Sequence, residues 1–335
     1  MLLNPAILAL IGVSAAVNGL LLLAAVFAVQ GLRHWDIRSG SERQLRLERG
    51  TYLISTLVAF AFLAELVSLL LFVYNAEAMA TQFVGAMCAT GVLNVNPWGW
   101  PTLFLKIAVF FAGALWLLLN RLDNQGYDYP LTRLKYALLL ALVPLVLAEG
   151  LVQLRYFLGL DPDVITSCCG NLFSADAKGV AAEVSALAPS TALLALAGSG
   201  AALFLAGGHF LWRRRGAAWL AAAAAIAFPA ALVGLVSCIA LYVYEHPHHH
   251  CPFCILKGGY GFIGYWLYVP LFVGSAYGLA VGALAPWGRV PSLTLAAASA
   301  TRRAATLALA GFGLFYAVAA WVMVRSNLTM AGTWW

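Results

Sequence analysis

Long apolar runs alternate with short polar segments along the whole chain. A membrane-spanning helix needs roughly 20 mainly apolar residues. Eight stretches qualify: residues 5–32, 51–75, 101–120, 136–160, 191–212, 217–244, 255–287 and 304–325. Residues 76–100, 161–190 and 245–254 form loops on one side, and the intervening segments form loops on the other. The pattern predicts an all-α fold, a polytopic membrane helix bundle of about eight transmembrane helices in a single integral membrane domain, 1–335. The sequence contains no phosphate-cradling glycine loop, nucleotide motif or soluble catalytic domain, so any energy-coupling ATPase would be another chain.

Composition agrees. Of the 335 residues, 63% are hydrophobic and only 10% charged, against about 25% charged in a soluble domain. Too little polar surface remains to coat a water-exposed globule. The net charge of +6 would suggest a nucleic-acid binder until its distribution is read. One set of loops carries Arg33, Arg38, Arg43, Arg46, Arg49, Arg121, Arg133, Lys135, Arg213, Arg214, Arg215, Arg289, Arg302 and Arg303. The opposite loops hold Lys178 against Glu77, Asp161, Asp163, Asp176, Glu183 and Glu245. By the positive-inside rule the arginine-rich loops are expected in the cytoplasm, which makes the chain N-out/C-out. The expected location is the inner (cytoplasmic) membrane, with no nucleic-acid partner. Met1-Leu2-Leu3-Asn4 lacks the basic n-region of a signal peptide, so the first apolar segment is expected to be a retained helix.

The six cysteines avoid the arginine side. Cys88, the vicinal pair Cys168-Cys169, and Cys251 with Cys254 lie in the three outer loops, and Cys238 lies near the outer end of the sixth span. A weak repeat of Leu63-Ala64-Glu65, Leu147-Ala148-Glu149 and Leu235-Val236-Ser237, each followed by tyrosine and then cysteine, suggests three hairpins delivering thiols to one face. An outer compartment of the bacterial type is oxidising. The cysteines are accordingly expected to be disulfides, metal ligands or redox-active thiols. Adjacent Cys168 and Cys169 are expected to bond to separate partners, including Cys88 and Cys251 or Cys254, to form a labile pair, or to present two thiolates to a metal.

The densest motif is Tyr244-Glu245-His246-Pro247-His248-His249-His250-Cys251-Pro252-Phe253-Cys254-Ile255-Leu256-Lys257. A C-x-x-C pair opening a helix gains thiolate stabilisation from unpaired backbone amides and the helix dipole, with Lys257 adding positive charge. The pair suits either a dithiol/disulfide couple or half of a soft-metal site. The metal alternative would draw on Cys88, Cys168, Cys169, His248, His250, Cys251 and Cys254 for copper or zinc. Covalent c-type haem is not expected, because Ile255 rather than histidine follows the second cysteine.

Charges within spans normally face the bundle interior and pair with one another. Glu65, Lys106, Glu149, Arg155 and Lys257, with Tyr260 from a glycine-tyrosine run, are expected either to line a polar pocket serving a proton path or a quinone headgroup, or, for the charged residues, to form an ion-pair network that fixes helix packing. Trp98, Trp100, Trp266 and Tyr268 read as an interfacial belt.

Cys251-Pro252-Phe253-Cys254 resembles the C-P-x-C active sites of thioredoxin-like proteins. Its placement at the outer end of a span is similar to that in the quinone-linked disulfide-forming enzymes and the vitamin K epoxide reductase group. The resemblance covers four residues and a topology, and those enzymes have fewer helices. It implies Cys251 as the more exposed active thiol, Cys254 as its partner, and Cys168 and Cys169 as a relay to a periplasmic redox protein. Three functions are therefore expected: thiol/disulfide exchange with a membrane carrier or periplasmic partner, copper or zinc handling, or service as a docking subunit of a larger membrane complex.

Overall fold

The computed structural model describes residues 3–37, 39–166, 187–247 and 249–328. Among the described residues, eight helices are long and apolar enough to cross a membrane and no strand is present. The chain is a multi-pass membrane protein. The helices are α1 (Pro5–His34), α2 (Glu42–Ala78), α3 (Gly99–Asp123), α4 (Thr132–Leu158), α5 (Pro189–Arg213), α6 (Ala217–Tyr244), α7 (Ile263–Leu284) and α8 (Thr294–Arg325).

Local chemistry sets several ends. Asn4 caps α1, its Oδ1 accepting the Ala6 N–H at 2.9 Å, with Pro5 in the first turn. Ser41 caps α2 by accepting the Gln44 N–H at 3.3 Å, so α2 starts well before its apolar part. α5 ends on Arg214 in the left-handed conformation (φ 57°). The seventh span begins well inside its expected range, 255–287. Two short 3₁₀ turns, Cys254–Leu256 and Gly258–Tyr260, precede the helix, and Phe262 at φ 55° breaks the backbone before Ile263. Gly258, Gly259 and Gly261 weaken helix propensity there, which lengthens the cysteine-bearing loop.

The chain divides into two compact units: residues 1–79, 92–164 and 286–298, and residues 80–91, 165–285 and 299–335. In the first unit α1, α2, α3 and α4 pack in cyclic order, each against two neighbours. Their core joins Leu21 and Ala28, Val58 and Phe62, Trp116, and Leu139 and Val146. Phe62 meets Trp116 with ring centroids 5.3 Å apart. In the second unit α6 packs against α5 and α7, and Phe312 and Phe315 of α8 join the same core. Small residues permit close approach, the usual basis of helix association in lipid. A Cβ on Gly311 would stand 2.7 Å from Gly274 Cα and from the Pro270 carbonyl oxygen.

One end of the first unit is closed by a buried ion pair. Lys135 Nζ lies 2.7 Å from Asp123 Oδ2, both side chains fully buried. Both carboxylate oxygens of Asp123 have partners. Asp123 Oδ1 accepts the Leu131 N–H at 2.7 Å, Oδ2 also accepts the Thr132 hydroxyl at 3.3 Å, and Lys135 donates to Asn120 Oδ1 at 3.1 Å. Truncating one partner of a buried pair exposes the other's desolvation penalty, about 3–5 kcal/mol. Asp123→Ala is accordingly expected to lose most of the protein's thermal resistance in detergent. Asp123→Asn, which keeps an acceptor for Leu131, should fall between it and the parent in the same melting assay.

Candidate functional site

The second unit brings three cysteines together from two distant segments. Residues 80–91 leave α2 through a turn at Gly85, whose φ of +83° suits glycine. A Cβ at Gly85 would also meet the Thr166 carbonyl oxygen at 2.1 Å. Thr166 ties this segment down: its N–H donates to Val84 O at 2.9 Å and its hydroxyl to Gly91 O at 2.9 Å. Cys88 follows, fully buried, just before the single helical turn Ala89–Leu93.

The other two thiols sit on the loop between α6 and α7, which is anchored at several points. Tyr244 donates its hydroxyl to Cys251 O at 2.5 Å, and Tyr268 donates to Pro252 O at 2.8 Å. His249 stacks on Tyr244 with centroids 3.9 Å apart. His250 reaches back to α6, whose backbone makes a π turn at Leu235–Ile239. Its Nδ1 lies 3.0 Å from Val236 O, so the proton is on Nδ1. π turns cluster at functional sites, and this one supplies an anchor for the loop.

These contacts set the sulfur geometry. Cys88 Sγ lies 3.2 Å from Cys251 Sγ, and Thr90 Oγ1 lies 3.4 Å from it. The Sγ atoms of Cys88, Cys251 and Cys254 all lie within 4.8 Å of one another, and all three residues are buried. Hydrogen bonds from the Cys254 and Cys88 thiols hold the Cys251 thiol far below the ordinary thiol range, against the opposing effect of burial, with the Thr90 hydroxyl and Phe253 N–H assisting. Cys254 is pushed up, first because its proton serves Cys251. The trio thus favours one thiolate, on Cys251, between two thiols.

The reason differs from the helix-dipole argument suggested by the sequence. The C-x-x-C pair opens only a three-residue 3₁₀ turn, and Lys257 directs its ammonium to the Met87 carbonyl. Neighbouring thiols stabilise Cys251 instead. Of the expected metal ligands, Cys88, Cys251 and Cys254 converge, and among the described residues no histidine joins them. Cys168, Cys169 and His248 lie outside the described residues. Cys238 is buried within the π turn and is not a member of the trio.

The expected polar pocket is distributed between the units. Glu65, Lys106 and Glu149 meet inside the first, where Lys106 Nζ lies 2.7 Å from Glu149 Oε1. Arg155, also in the first unit, lies over the Trp98 ring at 5.8 Å. Tyr260 and Lys257 belong to the second, with Tyr260 edge-on to Tyr244 at 4.8 Å. Thr90 and Ser68 enter these sites without having been singled out from sequence, and Tyr268, read there as part of an interfacial belt, bonds to the cysteine loop. Ser68 was legible as the residue one turn beyond Glu65, and Thr90 carried no signal.

Comparison with known protein families, curated proteins and solved structures finds no match.

If the thiol arrangement governs ionisation, reduced protein should retain one thiolate at about pH 5, well below the usual thiol value of about 8.5. Ultraviolet thiolate absorbance during acid titration checks this. The signal should vanish in Cys251→Ser and persist in Cys238→Ser.

Proposed function

We propose that this protein is a membrane thiol/disulfide oxidoreductase whose working group is the trio Cys88, Cys251 and Cys254. The observation that carries this reading is the 3.2 Å approach of Cys88 Sγ to Cys251 Sγ, with Cys254 Sγ alongside. A thiolate is the attacking species in disulfide exchange, and the arrangement keeps one poised between two partners. Oxidation of the Cys251 thiolate and the Cys254 thiol forms their disulfide and releases two electrons and one proton. A quinone accepts both electrons, with that proton and a second one from solvent, and becomes the quinol. Attack of Cys88 on Cys251 Sγ of that disulfide, after its thiol gives up its proton, forms Cys88–Cys251 and expels the Cys254 sulfur, which takes up a proton in turn. The exchange carries no net electrons and passes the disulfide to the other segment. Cys168 and Cys169, by their sequence position, are the pair we assign to exchange with a soluble periplasmic redox partner. The arginine bias of the opposite loops supports an inner-membrane location with the cysteine loops outside.

A second reading rests on the same three sulfurs. A cluster within 4.8 Å suits a soft ion, and thiolates favour Cu(I) or Zn(II) over hard cations. In that case the protein handles copper or zinc and Cys88, Cys251 and Cys254 supply the thiolates.

Anaerobically purified, reduced protein separates the readings when treated with a water-soluble quinone analogue. The oxidoreductase should form one quinol per protein, with mass spectrometry locating a new disulfide within the trio, and Cys251→Ser should abolish both. Stoichiometric copper or zinc that disappears in Cys251→Ser would overturn this reading in favour of metal handling. Three inert thiols with no metal would overturn both, leaving the docking subunit of a larger complex.

A further inference from the structure

The first unit holds a charge imbalance independent of the thiol reading. α1, α2, α3 and α4 enclose two carboxyl groups and one ammonium: Glu65, Glu149 and Lys106, each no more than 2% exposed. Lys106 already serves two partners. Its Nζ is 2.7 Å from Glu149 Oε1 and donates to Ser68 Oγ at 2.7 Å. Glu65 interacts electrostatically with both Glu149 and Lys106. Among the described residues, Glu65 Oε1 and Glu149 Oε2 are buried without a hydrogen-bond partner.

Among the described residues, Lys106 is the cation that pairs with Glu149 and acts on Glu65. The nearby face of α1 brings only Ser14 and Asn18, both uncharged, and Asn18 Oδ1 is likewise buried without a partner. Gly150 makes room for them, because a Cβ there would stand 2.3 Å from Asn18 Nδ2. On α4, Gln153 donates to Leu10 O and Tyr156 donates to Val92 O. Arg155 is exposed and lies over Trp98. With both carboxyls ionised the cluster carries a net charge of −1 in a medium where an uncompensated charge is costly. The Asp123–Lys135 pair of the same unit is one-to-one, with both carboxylate oxygens hydrogen-bonded, so an excess carboxyl is not a general feature of these buried pairs.

We propose that Glu65, Glu149 and Lys106 form a proton-binding site within the membrane, holding one exchangeable proton on the carboxyl pair, chiefly at Glu65. A proton neutralises the excess carboxylate and supplies a donor to an unpartnered oxygen. A metal cation would instead sit beside the Lys106 ammonium and be repelled by it.

Infrared spectroscopy of the full-length protein in detergent tests this through the carbonyl stretch of a protonated carboxyl. At about neutral pH the parent should show one such buried band, shifting in D2O. Glu65→Gln and Glu149→Gln should each lose it, because the remaining carboxylate then matches Lys106 one-to-one. Lys106→Met should double it, and Glu42→Gln, at an exposed surface position, should leave it unchanged. Gel filtration establishes that each variant is folded, and either glutamine variant alone decides the matter. Absence of the band in the parent, or its survival in either folded glutamine variant, would overturn the proposal. A band that appears only when sodium is removed would overturn it in favour of a metal-cation site.

Discussion

Inside a bilayer no water is available to satisfy a polar group, so each one buried among the helices must find its partner in the protein. The rest of the structure depends on this constraint. It makes the backbone helical wherever the sequence is apolar, and it confines buried ionisable side chains to the helix interior. It also gives meaning to the difference between two buried clusters in one four-helix unit. About 21 Å of α4 separates Lys135 from Glu149, taking 14 residues at 1.5 Å each. Phe62, Trp116, Leu139 and Val146 belong to the apolar core of that unit. Asp123 and Lys135 meet one-to-one with both carboxylate oxygens bonded, as a structural fastening. Glu65, Lys106 and Glu149 meet with oxygens left over.

The same constraint shapes the thiol site in the second unit. A loop carrying two cysteines has backbone carbonyls that would otherwise need water. Tyr244 and Tyr268 supply hydroxyls to two of them, at Cys251 and Pro252, and His250 bonds in turn to a carbonyl of the π turn. The polar residues beside the cysteines thus fix the loop, and the sulfurs are left to bond to one another. That division of labour explains why a histidine-rich motif yields an all-sulfur cluster among the described residues.

Most of the fold was legible from hydropathy, because spanning helices are set by length and apolarity and both are local properties. The exception at residues 255–262 has a local cause too: three glycines and a left-handed Phe262 interrupt an apolar run that hydropathy alone would continue. The site was legible in part. Cys251 and Cys254 announce themselves by spacing, and Glu65, Lys106 and Glu149 by being charged where charge is costly. The choice of Cys88 as third member depends on the turn at Gly85 and its Thr166 clasp, contacts across many residues that no local pattern encodes. Histidines beside the cysteines suggested mixed ligands. Their use as a stacking ring and a helix anchor depends on α6 geometry, which the sequence does not display.

The central claim, that Cys88 and Cys251 are held in bonding register, is tested most directly by cross-linking. In a full-length variant with Cys168, Cys169, Cys238 and Cys254 replaced by serine, mild oxidation should join the two remaining thiols within one chain. Peptide mapping would then recover a Cys88–Cys251 disulfide in near-stoichiometric yield. Two thiols that stay reduced, or that cross-link only between chains, would contradict it.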